Sequence, residues 1–257
     1  MPPTRSVRHT NSTAARASSY WRDARSPRHA ITLALPLLLL YEALAALTAG
    51  TGSGAVRNGA DVMFQQAFAA VAGKWGPLAF GVLLIGGGAA LVVRDVRAHG
   101  RPALRTLLFM LVESAVLALA TGLVVGTLTQ GLLSRLHLMA MGPAAFDGPT
   151  QLALSLGAGL YEELLFRVVL VGVLLFAGEV LLGWSRLVST VSALVVSALV
   201  FSAFHYVGPY GDTLTAASFT FRALAGLWFS GMYVTRGFGI TAWAHALYDV
   251  ALTVLLA

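Results

Sequence analysis

Gly159-Leu160-Tyr161-Glu162-Glu163-Leu164-Leu165-Phe166-Arg167-Val168-Val169-Leu170-Val171 sets two adjacent carboxylates and a guanidinium inside an apolar run that extends from about residue 150 to 182. An ionised side chain at the centre of a bilayer costs at least about 2.5–3.5 kcal/mol on insertion scales, so charges kept in such a run face a protein interior and mark a functional site. Glu163 and Arg167 stand four residues apart and share a helix face, where they pair. At about 3.6 residues per turn Glu162 points about 100° away from that face. The expectation is one carboxylate held ionised by Arg167 and a second one free to exchange protons as a general base.

The surroundings of this run decide the fold class. The chain has 257 residues, 57% of them hydrophobic and 11% charged, with a mean hydropathy of +0.77, against roughly 25% charged residues in soluble domains. It is read as an integral membrane protein, all-α, a polytopic transmembrane helical bundle. Apolar runs near 30–49, 77–93, 106–133, 150–182, 187–208, 216–235 and 238–257 predict about seven spans. The range is six to eight, because 150–182 exceeds the roughly 20 residues a bilayer needs, and because 61–76, with Gln65, Gln66, Lys74 and Trp75, reads as an interfacial helix. Residues 1–29 carry six arginines among Ser, Thr, Pro and Ala and are expected to form a disordered basic cytoplasmic tail. Residues 30–149 are expected to supply N-terminal transmembrane helices, and 150–257 a catalytic helical core.

Sixteen of the seventeen basic residues are arginine. Arg94, Arg97, Arg101 and Arg105 crowd one connection, and Arg186 and Arg236 mark two others. Alternate basic connections place the N-terminus in the cytoplasm and the C-terminus outside. The net charge of +6 is explained by this topology, and no basic groove with interleaved aromatics points to nucleic acid. The absence of cysteine excludes a thiol nucleophile and thiolate metal ligands. The glycines at 86–88 are expected to allow close helix packing, since no phosphate-loop lysine follows.

Two further motifs lie downstream. In Phe201-Ser202-Ala203-Phe204-His205 the phenylalanine and histidine are one turn apart. In Trp243-Ala244-His245-Ala246-Leu247-Tyr248-Asp249 the histidine and aspartate share a face, and an Asp bonded to a His fixes its tautomer and ring orientation. Each pair alone is consistent with a structural hydrogen bond between helices. Together with Glu162, Glu163 and Arg167 they form a set able to activate water and stabilise an oxyanion, as peptide-bond hydrolysis requires.

The ordered trio E-E-x-x-x-R, F-x-x-x-H and H-x-x-x-N/D on successive membrane helices resembles the CPBP family of CAAX proteases and bacteriocin-processing enzymes, also called Abi proteins. The likeness covers roughly 150–257. It implies an intramembrane endopeptidase in which Glu162 and His205 activate water and His245 and Asp249 stabilise the oxyanion, supported by Glu163, Arg167 and Phe201. Eukaryotic-type relatives have Asn where this chain has Asp249. An ionised Asp donates no hydrogen bond, so Asp249 is expected to orient His245. A metal-free glutamate mechanism is favoured. The alternative is a Zn2+ held by Glu162, His205 and His245, a His/His/carboxylate set. The expected partners are membrane lipid and a peptide or membrane-protein substrate, with a lipidated CAAX-type C-terminus as one class and peptide processing in a bacterial cytoplasmic membrane as the other.

Rival readings use the same residues. A non-proteolytic scaffold would keep the cluster as helix glue, and a proton-coupled transporter would use it as a relay, although no inverted repeat is visible. Serine catalysis by Ser155, Ser202 or Ser230 lacks a supporting motif. Glu42, Glu113, Glu179 and Arg222 also lie in or beside apolar runs, and Arg222 is expected to pair with one of those acids.

Overall fold

The computed structural model describes residues 19–49, 56–133, 147–208 and 211–256. Among them the chain is helical throughout, without strands. The helices are α1 (Pro27–Thr48), α2 (Gly59–Ala72), α3 (Gly76–His99), α4 (Leu104–Leu133), α5 (running from Gly148 to Leu181), α6 (Arg186–Phe204), α7 (Ala216–Arg236) and α8 (Phe238–Leu256). Helix starts follow local chemistry: Asn58, Asp147, Ser185 and Thr215 cap α2, α5, α6 and α7 by accepting a backbone N–H two or three residues on, which satisfies donors that have no partner within the helix. At Asp147 the hydrogen bonds from Thr150 hold the carboxyl below the usual carboxylate range.

Helix α8 is central, packed against α1, α4, α5 and α7, and Ile240, Ala242, Ala244 and Ala246 on it are fully buried. Small residues permit that closeness, as at membrane helix contacts generally. A Cβ built on Gly159 would lie 2.6 Å from Ala246 Cβ and 2.7 Å from its backbone nitrogen. Gly159→Val is therefore expected to push α5 and α8 apart, costing roughly 1–3 kcal/mol as overpacked cores do, and to show as a melting temperature lowered by several degrees in detergent. Buried polar contacts join other helices: Trp243 Nε1 donates to the Leu33 carbonyl at 2.6 Å, and Trp228 Nε1 to Thr121 Oγ1 at 2.9 Å. The outer surface inverts the pattern of a soluble protein. On α4, Leu108, Val112, Val116, Leu119 and Leu123 are all exposed at helical spacing, a stripe suited to lipid.

Five segments are long and apolar enough to cross a membrane: α1, α2 with α3, α4, α5 and α6. The two remaining runs of the expected seven, α7 and α8, have 21 and 19 residues and bear Arg222, Arg236, His245 and Asp249. The segment 61–76 is helical as expected, and it packs on its neighbour. Gly73, with φ of +57°, reverses the chain so that α2 folds onto α3, with Phe64 and Phe68 against Phe80. The beginning of α2 is deep in the protein, where Ala60 and Asp61 are buried. Of the three glycines at 86–88 only Gly88 faces a neighbouring side chain, Ile31 on α1.

The expected tail needs correction over 19–29. Residues 19–24 are helical, Ala24 is fully buried, the Tyr20 hydroxyl donates to Glu113 at 2.6 Å, and the Arg236 guanidinium lies 3.5 Å from the Trp21 ring centroid. Burial, with the Glu113 hydrogen bond, pushes the Tyr20 phenol up. The remainder of that expectation, residues 1–18, lies outside the described residues, as do 134–146 of the connection before α5.

Candidate active site

Helix α5 changes its winding where the charges sit. It is π-helical over Ala158–Glu162 and again over Leu164–Leu170, a form that appears mostly as short insertions at functional sites. One loosened carbonyl, that of Phe166, is taken up by Ser197 Oγ of α6 at 2.8 Å. The two glutamates diverge from this segment. Glu163 is fully buried, with Oε2 3.2 Å from Arg167 Nε and Oε1 accepting from His245 Nδ1 at 2.7 Å. Glu162, 7% exposed, turns the other way: Oε1 accepts from Asn58 Nδ2 at 2.8 Å, and Oε2 faces His205 Nε2 at 3.9 Å.

Arg167 is enclosed by aromatic faces. Its guanidinium carbon is 4.4 Å from the Phe201 ring centroid, 5.7 Å from that of Phe229 and 6.0 Å from that of Phe166, and Nη2 donates to the Gly226 carbonyl at 3.3 Å. Nε and Nη1 make no aligned hydrogen bond. The ring quadrupoles and the Glu163 charge stabilise the cation in their place.

His205 caps the C-terminal end of α6, and its Nδ1 lies 2.8 Å from the Phe201 carbonyl. A carbonyl only accepts, so Nδ1 carries the proton and, in the neutral ring, Nε2 presents a lone pair toward Glu162. His245 is stacked on Phe229 at 4.3 Å. Phe201 lies between the imidazoles, with centroids 4.8 Å from His205 and 6.1 Å from His245. The two histidines, carried by the end of α6 and by α8, thus meet around one ring.

Asp249 Oδ2 stands 3.5 Å from His245 Nε2. Contrary to expectation, the closer grip on that ring belongs to Glu163 at Nδ1, and Asp249 sits by the nitrogen on the accessible side. Side-chain exposure rises from zero at Glu163 and Arg167 to 24% at His205 and 28% at Asp249, so a reacting group would approach Glu162 Oε2, His205 Nε2, His245 Nε2 and Asp249. Among the described residues no three His, Asp or Glu side chains converge to hold a metal ion. Glu162, His205 and His245 do not form a zinc site as they stand.

Glu113, Glu42, Ser202 and Ser155 are engaged elsewhere, while Ser230 Oγ is buried without a hydrogen-bond partner among the described residues. Glu113 is bound by Arg236 through two 2.5 Å contacts, and Glu42 by Arg57 at 2.7 Å and the Tyr161 hydroxyl at 3.0 Å. Glu179 is exposed. Arg222 pairs with Asp212 and the Tyr206 hydroxyl, not with an acid of the apolar runs. Ser202 donates to the Phe219 carbonyl at 2.8 Å and Ser155 to that of Gln151 at 3.0 Å. Two contributors escaped the sequence reading. Phe229 and Asn58 bear no motif, and Asn58 lies 104 residues from the glutamate it holds.

Charged and imidazole side chains from three helices, α5, α6 and α8, are brought together inside an apolar bundle and define a membrane protein with a buried polar cluster. Residues 146–251 match the family model described as type II CAAX prenyl endopeptidase, Rce1-like. This part of the chain is similar to that family, which is one of intramembrane peptidases. No curated protein and no solved structure matches the chain.

Proposed function

We propose that the chain is an intramembrane endopeptidase in which Glu162 and His205 activate the attacking water and His245 stabilises the oxyanion. The observation that carries this reading is the pair of acceptors, Glu162 Oε2 and His205 Nε2, facing each other across 3.9 Å. A water about 2.8 Å from each donates one hydrogen to either acceptor and turns a lone pair toward the scissile carbonyl. As its oxygen bonds to the carbonyl carbon, its proton passes to Glu162, and the carbonyl oxygen becomes an oxyanion. When the carbon–nitrogen bond breaks, Glu162 returns that proton to the departing amine.

His245 suits the oxyanion role because its Nδ1 is committed to Glu163. Nε2 and Asp249 Oδ2 would then be facing acceptors unless a proton lies between them. Carried on Nε2, that proton is the donor an oxyanion needs. Asp249 keeps it there, while Arg167 pairs with Glu163.

The substrate is a membrane-associated peptide or protein. A prenylated C-terminus is the class that the family description names, and short peptides or membrane proteins of a bacterial cytoplasmic membrane are the second class. The test is mass-spectrometric mapping of new peptide ends in membranes holding the wild-type chain or Glu162→Gln at equal abundance. Ends found only with wild type support the proposal and read out the cleavage sequence. Identical sets of ends, with both proteins folded, return the scaffold or transporter reading. A synthetic peptide carrying that cleavage sequence, with and without a farnesyl group, separates the substrate classes: a kcat/KM ratio above about tenfold for the farnesylated form assigns the prenyl class.

A further inference from the structure

The Rce1-like segment starts at residue 146, yet one partner of Glu162 comes from far upstream. Asn58 is buried, 5% exposed, and is pinned at three points. Its Nδ2 donates to Glu162 Oε1 at 2.8 Å, its Oδ1 accepts from the Ala60 N–H at 2.9 Å as the cap of α2, and its own backbone N–H donates to the Tyr41 hydroxyl at 3.2 Å. Tyr41 in turn donates to Asp61 at 2.7 Å, and Arg57 joins Asp61 to Glu42. Glu42 accepts from Tyr161, the residue before Glu162, so the chain of hydrogen bonds returns to the helix it started from.

Packing enforces the same placement. A Cβ on Gly157, one turn before Glu162, would stand 2.5 Å from the Tyr41 ring and 2.8 Å from Asn58 Cβ. A Cβ on Gly59 would stand 3.3 Å from the Phe204 ring, beside His205. The start of α2 therefore lies against Glu162 and against Phe204, the residue before His205. An amide that donates to one carboxylate oxygen fixes the rotation of the whole group and leaves the other oxygen aimed at His205.

We infer that Asn58 is a positioning residue for Glu162, supplied by the N-terminal part of the chain to a site otherwise built from residues 162–249. The inference rests on the reading of Glu162 as the general base. It explains why a network of two tyrosines, two acids and an arginine surrounds one asparagine, which a simple helix cap would not require.

Asn58→Asp separates capping from positioning, because Asp keeps the cap acceptor and its size but has no amide donor. On a fluorogenic peptide spanning the cleavage sequence mapped from wild-type membranes, Asn58→Asp is expected to lower kcat about 100-fold, the scale of a misplaced catalytic group, with KM within about twofold. Its melting temperature should fall, and should recover in Asn58→Asp/Glu162→Gln, where the same hydrogen bond is restored with donor and acceptor exchanged. That double variant should stay inactive. Wild-type kcat in Asn58→Asp, alongside an inactive Glu162→Gln, overturns the positioning role alone. No recovery of stability in the double variant overturns the contact itself. Full cleavage by Glu162→Gln overturns the general-base reading and the positioning role with it.

Discussion

Glu162→Gln is expected to lower kcat/KM by about 10²–10⁴-fold, the range a positioned general base contributes, while the protein purifies and melts like wild type. The change is nearly isosteric, and a glutamine oxygen still accepts from Asn58 Nδ2 where Oε1 does now. What disappears is the capacity to take a proton from water beside His205 Nε2. His205→Ala should lose activity on the same scale, since it removes the second acceptor. Adding it to Glu162→Gln should cost little more, because groups that act as a unit are strongly non-additive. Steady-state cleavage of one peptide by the two single variants and the double checks this. Losses that multiply in the double variant would mean that the two residues act in separate steps. An active Glu162→Gln beside an inactive Glu163→Gln would exchange the roles of the two glutamates.

Helicity and bilayer-length apolar runs were legible in the sequence because lipid leaves the backbone few choices. The pairing of Glu163 with Arg167 was legible because a four-residue separation keeps two side chains on one face, and it survives the π turns of α5. The gathering of Glu162, His205 and His245 was expected from chemistry alone, since no local pattern encodes a contact between helices. Three features lay beyond reach. Asn58 sits in a short polar stretch that carries no motif, and its distance along the chain from Glu162 hides the contact. The grip of Glu163 on His245 was hidden by Asp249, which satisfies the i,i+4 rule and so looked the natural partner. The packing of Tyr20 and Trp21 depends on Arg236 and Glu113 from two other helices, and two aromatics in an arginine-rich stretch announce no such contact.

Arg167→Leu is expected to cost about 3–5 kcal/mol of stability, the scale for breaking a buried ion pair by removing one partner, and to leave little folded protein. The penalty arises at Glu163: fully buried, its charge would keep His245 as its sole polar contact while Oε2 lost the guanidinium at 3.2 Å. Arg167→Lys should fare little better, because an ammonium cannot lay a flat face on Phe201 or reach the Gly226 carbonyl with the same fork. Glu163→Leu/Arg167→Leu removes both charges together, and replacing a buried pair by apolar groups is often neutral, so the double variant should melt well above Arg167→Leu. It should nevertheless be inactive, for His245 Nδ1 would have lost the carboxylate that binds it and keeps Nε2 as the nitrogen facing the reaction. Melting curves from tryptophan fluorescence, with size-exclusion profiles in detergent, separate the cases. A double variant no more stable than Arg167→Leu would show that the aromatic cage of Phe166, Phe201 and Phe229, rather than the Glu163 charge, is what requires an arginine here. A stable and active double variant would remove Glu163 from the mechanism and leave Asp249 as the group that orients His245.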